Sequence, residues 1–431
     1  MVSAAQRKYI LFLLFMVSVF NYVDRTILSI LQIPIKKELG LTDAQLGMLT
    51  GLAFAIFYAV LGVPIGRLAD YWQRRRLVAG ALTVWTGFTA LTGIATSFGS
   101  LLGFRIGVAV GEAGSIPASH SIISDLYPPD KRATAIAIFG LSLPVGILLG
   151  YSSAGWLVTN IGWRKAFFVI GLAGLIVVPF MWFAKEPKRG TFDPVEVTKA
   201  PAPSTAEALK ILWSKTAYRW LVLAGGFHAW AWYSVNSWNA MFYVRVHQIP
   251  LPTVSYYLAL VNGIGSAIGI YAGARLADYF GSRDVRGRPR VIAISQLIMV
   301  PIAIVQYLVP SHVVSMVLGA ITMTMMLVYY GPIVAVAHQM MPANIRGFTS
   351  GVLTLVVSLI GLGLGPLVTG FLSDKFTAAY GVQGLGYAIS VTVCASLVSA
   401  FMFWRSSVHL PNEVLNKEPV EEAELLKEAV V

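Results

Sequence analysis

Arg67-Leu-Ala-Asp70-Tyr71 returns 208 positions later as Arg275-Leu-Ala-Asp278-Tyr279. Each copy closes a long apolar stretch and leads into basic residues: Arg74, Arg75 and Arg76 in the first, Arg283, Arg286, Arg288 and Arg290 in the second. A chain that repeats a charged hairpin after half its length is built as two related halves. A second pair of loops, Pro128-Pro-Asp-Lys-Arg132 and Pro342-Ala-Asn-Ile-Arg346, repeats at an offset of 214 and supports the same division.

What lies between the loops decides the solvent. Of the 431 residues 56% are hydrophobic and only 12% charged, against about 25% charged in a soluble domain. A chain this apolar cannot hide all of it in a water-soluble core. The net charge of +12 sits in short runs between apolar segments, which suits loops facing an anionic leaflet and not a nucleic-acid surface. The single cysteine, Cys394, excludes an intramolecular disulfide, so an oxidising compartment gains no support. No metal-ligand cluster and no phosphate-binding G-x4-G-K-[ST] loop is present. Neither a cofactor nor ATP-driven pumping is therefore expected, and no nucleophile–base pair marks an intramembrane enzyme.

About 20 apolar residues cross a bilayer. The sequence predicts twelve spans: 9–31, 45–69, 77–96, 101–126, 133–158, 166–184, 219–243, 254–278, 291–309, 313–341, 347–373 and 384–405. The first follows Arg7-Lys8 like a signal peptide, but the apolar run continues past Asn21-Tyr22-Val23 without a small-residue cleavage site, so an uncleaved helix is expected. With both termini inside, 24 of the 32 Lys and Arg residues fall in cytoplasmic segments, six in outer segments and two, Arg25 and Arg105, within spans. That asymmetry predicts a multi-pass protein of the plasma (inner) membrane with both termini cytoplasmic. The expected fold is all-α, with twelve transmembrane helices in two pseudo-symmetric six-helix bundles, 1–184 and 217–406. A Pro-punctuated cytoplasmic connector, 185–216, joins them, and an acidic cytoplasmic tail, 407–431, follows, solvated or helical from Val420 to Ala429. A monomer in the lipid bilayer is expected.

The phrase Gly66-Arg-Leu-Ala-Asp70-Tyr-Trp-Gln-Arg74-Arg75-Arg76 resembles the signature between helices 2 and 3 of the major facilitator superfamily, and its second copy keeps Leu276, Asp278, Gly281 and Arg283. Two small-residue ladders, Gly140-x3-Pro144-x-Gly146-x3-Gly150 and Gly361-x3-Gly365-Pro366-x3-Gly370, fit the close helix approach of that fold. Two further segments resemble its Spinster branch: Asn21-Tyr-Val-Asp24-Arg25, and Arg105-Ile-Gly-Val-Ala-Val-Gly-Glu112-Ala-Gly-Ser-Ile-Pro117. The first is also similar to an element of the anion:cation symporter branch. Spinster-like animal proteins move lysolipids and sphingoid phosphates. By resemblance, then, the chain is expected to be a secondary active transporter working by alternating access. Its cargo would be amphipathic or anionic organic molecules, with protons as the coupling ion. A small organic anion/proton symporter is the near alternative, and a non-transporting membrane sensor or scaffold the reading from another class.

Ionisable side chains at membrane depth are functional candidates by default. Four stand out: Asp24, Arg25, Arg105 and Glu112. Arg105 and Glu112, seven residues apart, fall about 20° apart on one helix face with a rise of roughly 10 Å, and Gly103, Gly107 and Gly111 run along a roughly opposite face that can pack on a neighbour. Asp24 and Arg25 diverge by about 100°, so one faces the cavity and the other a neighbouring helix. Burial favours a protonated carboxyl and a nearby guanidinium an ionised one, so Asp24 and Glu112 are candidate proton carriers. Arg25 and Arg105 are candidate anchors for an anionic group or partners of those carboxylates, and a static charge pair is the competing reading. The second half offers Trp230, Tyr233, Asn236, Tyr329 and Tyr330 as an aromatic, amide-bearing wall which, with Asn21, would bind an amphipathic cargo. Trp238 to Tyr243 lie near the outer end, where an interfacial aromatic belt competes with that reading. His228 is expected to be a hydrogen-bonded polar residue. Asp70, Arg74, Arg132, Asp278, Arg283 and Arg346 are expected at a cytoplasmic gate, because pairs of this kind hold that side shut in the superfamily the sequence resembles.

Overall fold

The computed structural model describes residues 3–189, 191–192, 204–342 and 345–414. The predicted acidic tail beyond Val414 and the middle of the connector lie outside the described residues. Among the described residues there is no strand.

Twelve antiparallel passes make up the molecule. Helix 1 is Ala4–Leu39, opened by a Ser3/Gln6 capping box and closed by Gly40 in the left-handed region at φ 64°. Helix 2 runs from Asp43–Gly47 through a π segment, Met48–Leu52, into Ala53–Tyr71. Helix 3 is Arg74–Thr92. Helix 4 is broken into Phe98–Glu112 and Ser115–Leu126, because Pro117 has no N–H to continue the ladder. Pro129–Gly140 and Ser142–Phe183 supply helices 5 and 6, parted where Gly162 takes φ 80°. A short connector helix, Thr205–Ser214, precedes helix 7, Thr216–Arg245. Helix 8 runs Leu251–Leu260, Val261–Gly265 and Ser266–Gly281, again with a central π segment. Helix 9 is Gly287–Leu308. Helix 10 is broken into His312–Met326 and Tyr330–Gln339, before Pro332, as helix 4 is before Pro117. Helix 11 runs Arg346–Val356, a π segment Val357–Leu364, and Gly365–Tyr380. Helix 12 is Gly384–Val393 and Ala395–His409.

Every predicted span coincides with one of these helices, most of which run a few residues further than predicted at one or both ends. Among the described residues seven helical stretches are long and apolar enough to cross a membrane, and two of them, Thr134–Phe183 and Arg346–Asn412, each hold two passes. Helices 3, 4 and 7 are the less apolar remainder. They carry Arg74 to Arg76, the Arg105/Glu112 pair, and the Asn- and Ser-bearing run of helix 7, so hydropathy alone dips where polar side chains turn inward.

The apolar core shows how the halves sit. At the end of the bundle holding Ala4 and His409, here the near end, there are two separate clusters, one around Leu14, Leu82 and Ile123 and one around Leu221, Val336 and Phe403. At the opposite, far end a single cluster runs through both halves, from Ile27 and Tyr151 to Trp238 and Leu385. The halves are joined at the far end and parted at the near end. Helix 2 packs on helix 11, helix 5 on helix 8 and helix 1 on helix 7. At the first contact a Cβ on Gly47 would collide with the carbonyl of Pro366, and one on Gly370 with the carbonyl of Asp43.

Candidate functional site

Helix 1 places Asp24 and Arg25 about 100° apart around its axis, and helix 4 answers with two partners one above the other. Arg25 Nε donates to Glu112 at 2.8 Å, and Arg105 Nη1 donates to Asp24 at 3.4 Å. Thr89 of helix 3 donates its hydroxyl to the other Asp24 oxygen. The pairing is crossed: each helix gives one acid and one base to the other. Both carboxylates lie deep, with side chains 4% and 0% exposed for Asp24 and Glu112, whereas Arg25 keeps 23% and Arg105 11%. Phe54 of helix 2 stands between the two guanidiniums, 4.9 Å from Arg25 and 4.7 Å from Arg105, and Tyr58 lies 5.0 Å from Arg25. Cations held over ring faces gain attraction without losing their charge.

The two arginines line a cavity of about 100 Å³ between the halves, opposite Trp232, Tyr233 and Asn236 of helix 7. Arg25 Nη2 and Glu112 Oε1 are buried and find no hydrogen-bond partner among the described residues. A buried donor and acceptor left open cost free energy unless a water or a ligand meets them. Arg25 can therefore meet an anionic group in the cavity, with the open Glu112 oxygen buried behind it.

Of the residues expected to bind cargo, Arg25, Arg105, Tyr233 and Asn236 line this cavity. Asn21 does not; it is 1% exposed, with both amide atoms unpartnered among the described residues. Trp230 is turned about 200° from Trp232 around helix 7 and stacks on Phe227 at 6.2 Å. Tyr329 packs on the His228 ring at 4.1 Å, and Tyr330 is half exposed. Trp232, Phe54, Tyr22 and Tyr151 line the cavity and were not singled out. For Trp232 the signal was its spacing of four from Asn236, which puts the two on one face of helix 7. Gly107 and Gly111 do pack on helix 3, against Phe88 and Trp85, but Gly103 meets nothing. His228 is hydrogen-bonded on both ring nitrogens, to Met326 O at 2.8 Å and Gln296 at 2.9 Å. Trp238 to Tyr243 form no lipid-facing belt: Trp238, Phe242 and Tyr243 are fully buried, because the far half of helix 7 is covered by its neighbours.

The far end is latched by a network that the sequence did not announce. Arg245 of helix 7 grips Asp43 of helix 2 with two bonds of 2.7 Å, Ser373 of helix 11 donates to the same carboxylate at 2.6 Å, and Lys36 adds a third partner. Asp374 accepts the backbone N–H groups of Asp43 and Ala44 at 2.9 and 2.8 Å, a carboxylate on a helix N-terminus. Nearer the cavity, Gln32 donates to Ser237 O at 2.5 Å and Tyr151 to Asn236 O at 3.4 Å, again between halves.

The residues expected to gate the near end make bonds within their own halves and, for Arg74, to the start of the connector. Arg74 is buried and holds Asp125, Glu186 at 3.3 Å and Ser121 at 2.8 Å. Arg132 donates to Ser124 O at 2.9 Å and Arg346 to Met341 O at 3.3 Å. Asp278 meets Arg288 at 3.7 Å, while Arg283 lies over Tyr279 at 4.0 Å. The side chain of Asp70 lies outside the described residues.

Residues 14–366 match the Major Facilitator Superfamily. The chain is 29% identical over 403 residues to an MFS-type efflux pump of Mycolicibacterium smegmatis, covering 93% of each chain. It is 25% identical over 434 residues to a hexuronate transporter of Bacillus subtilis, covering 97% of this chain and all of that one. The fold superimposes with a TM-score of 0.89 and 29% identity on a bacterial homologue of the human lysosomal transporter Spinster, described as inward-facing and unoccupied, over 96% of this chain and all of the other.

Proposed function

Because the chain belongs to the Major Facilitator Superfamily, and is thus a multi-pass membrane transporter and not an enzyme, we propose that it is a proton-coupled carrier of anionic, amphipathic organic molecules. The near end is cytoplasmic in this reading, so the latched far end faces outward and the molecule stands open to the inside of an inner membrane.

The observation that carries the proposal is the crossed quartet, with two guanidiniums on the cavity wall and two carboxylates behind them. An anionic group arriving at Arg25 competes with Glu112 for the guanidinium. Glu112, losing its partner in a low-dielectric site, then favours the protonated form. Cargo and proton are thereby linked through one arginine. The facing Trp232 and Tyr233 supply the apolar contact for the rest of the cargo. The small size of the cavity favours a second reading, a symporter of small organic anions, to which the resemblance to the hexuronate transporter adds weight.

Flux into proteoliposomes under an imposed pH gradient tests both. A lysophosphatidate and glucuronate serve as competing probes, one for each cargo class. Glu112→Gln and Asp24→Asn are near-isosteric and cannot titrate. We expect each to bind the transported probe as the parent does and to lose gradient-driven flux. Full pH dependence in both variants sinks the proton-carrier assignment, and a parent that moves neither probe sinks these cargo readings.

A further inference from the structure

A second cavity lies behind Arg105. It measures about 20 Å³ and is bordered by Asp24, Thr89, Thr92, Leu101, Arg105 and Phe167, among others. Arg105 borders both cavities, Asp24 only the small one and Arg25 only the large one. One guanidinium thus borders two compartments, and of the two carboxylates of the quartet only Asp24 borders either, on the small one.

The small cavity has the size and the chemistry for water. A water needs about 10–15 Å³ of probe-sized space and two to four polar partners. Asp24, Thr89 and Thr92 border it; the Thr89 hydroxyl donates to Asp24 and the Thr92 hydroxyl to Phe88 O at 2.9 Å, and both keep lone pairs that can accept. Arg105, which borders both cavities, keeps a buried Nε that is unpartnered among the described residues. Its place matters more. Thr92 is the last residue of helix 3, and Leu101 lies in the first turn of helix 4, within about 6 Å of that helix's start. The loop between them exposes Thr96 and Ser97. The cavity therefore reaches toward the far end, the end that is latched against cargo, while the large cavity belongs to the side that is open.

We propose that this is a buried water site giving Asp24 its own proton route to the far end, separate from the cargo cavity, with Arg105 as the partition. The proposal rests on the reading of Asp24 as a proton carrier. The charged groups around Asp24 are Arg105 and Glu112 from helix 4 and Arg25 from its own helix, while helix 3 presents Thr89 and Thr92, helix 2 Leu49 and helix 6 Phe167. Among the described residues no acid but Asp24 borders the small cavity; at the mouth beyond it Arg164 donates to Gly93 O and Ala95 O of the helix 3–4 loop at 3.2 and 2.6 Å and is paired with Glu38 at 2.8 Å. A proton entering past Thr92 passes from water to the Asp24 carboxylate, and Arg105 loses its partner and is free to meet an anion in the large cavity.

The access can be measured without any cargo. Thr92→Cys in a Cys394→Ser background is exposed to silver ion, a small thiophile, from one side or the other of sided vesicles, and the thiols left unblocked are alkylated in denaturant and counted. Reaction from the far side at least tenfold faster than from the near side is expected, and Leu101→Trp should slow it at least tenfold. Asn236→Cys, on the large cavity, should show the opposite sidedness. Equal rates from both sides, faster reaction from the near side, or no reaction from either, overturns the proposal, whatever the transport assay gives. Where the parent moves one of the two probes, Leu101→Trp should also cut gradient-driven flux at least tenfold with probe affinity unchanged. Unaltered flux then removes the proton route, and loss of affinity shows that position 101 supports the cargo site instead.

Discussion

Arg245→Ala tests whether the far-end network sets the conformational balance. The guanidinium makes two 2.7 Å bonds to one carboxylate that is itself 1% exposed, and its own side chain is 16% exposed. Exposed ion pairs contribute about 0–1 kcal/mol, and breaking a fully buried pair costs about 3–5 kcal/mol. This pair lies between, and Asp43 keeps Lys36 and Ser373 after the change, so a loss of about 2 kcal/mol is expected. At 1.4 kcal/mol per factor of ten, that moves the ratio of near-end-open to far-end-open molecules about 30-fold toward the far-end-open form. The sign is fixed because the bond exists only while the far end is shut. Spin labels at the exposed positions 37 and 382, one in each half, report the separation of the far ends directly. Arg245→Ala should add a population at longer distance that is nearly absent in the parent. A distance distribution unchanged from the parent, in protein that expresses and purifies normally, would show that the network is incidental to closure and that apolar packing alone holds the far end.

Arg105→Lys should weaken binding of an anionic cargo about tenfold, because an ammonium cannot keep a bond to Asp24 while offering a second planar donor to the cavity; equilibrium binding of the transported probe checks it. Arg74→Gln should lower the thermal unfolding midpoint and leave the label distances alone, since it strips a cation from Asp125 of its own half and Glu186 of the connector at a cost of about 3–5 kcal/mol. A changed near-end distance with an unchanged midpoint would restore the gating role. Gly47→Val should favour the far-end-open form, because the added methyls have no room against Pro366 O, and the same label pair reads it.

The helices were legible because an apolar run of the right length has few alternatives, and their predicted ends fell short because helices project beyond the hydrocarbon. Asp24, Arg25, Arg105 and Glu112 were legible for the same reason in reverse: a charge stands out in an apolar run. Their crossed pairing was not, since it depends on the relative rotation of helices 1 and 4, and a 100° divergence on helix 1 allows either partner for either residue. The Asp43–Arg245 latch was hidden for a different reason. Its members are 202 positions apart and sit near loops where charge is ordinary, so Lys36 and Arg245 read only as outer-loop charges. Trp238, Phe242 and Tyr243 misled because an aromatic at a span end is as common at a headgroup boundary as in a core. The neighbouring Ser and Asn residues of helix 7, which prefer a protein surface to lipid, were the better signal.

The contact between helices 2 and 11 is made by main chain, at Gly47, Pro366, Asp43 and Gly370, whereas the cavity wall is made by side chains. Shape at the hinge surface and chemistry at the wall are thus written in different atoms. Under the proposed function, a substitution at Trp232, Tyr233 or Asn236 should change what is recognised without altering how the two halves swing. A substitution at one of the glycines should shift the balance toward the far-end-open form whatever is bound. Such a division lets one machine be refitted for new solutes by drift at a handful of positions, and chains as alike as this one, an efflux pump and a hexuronate transporter can then diverge in cargo while keeping the same movement.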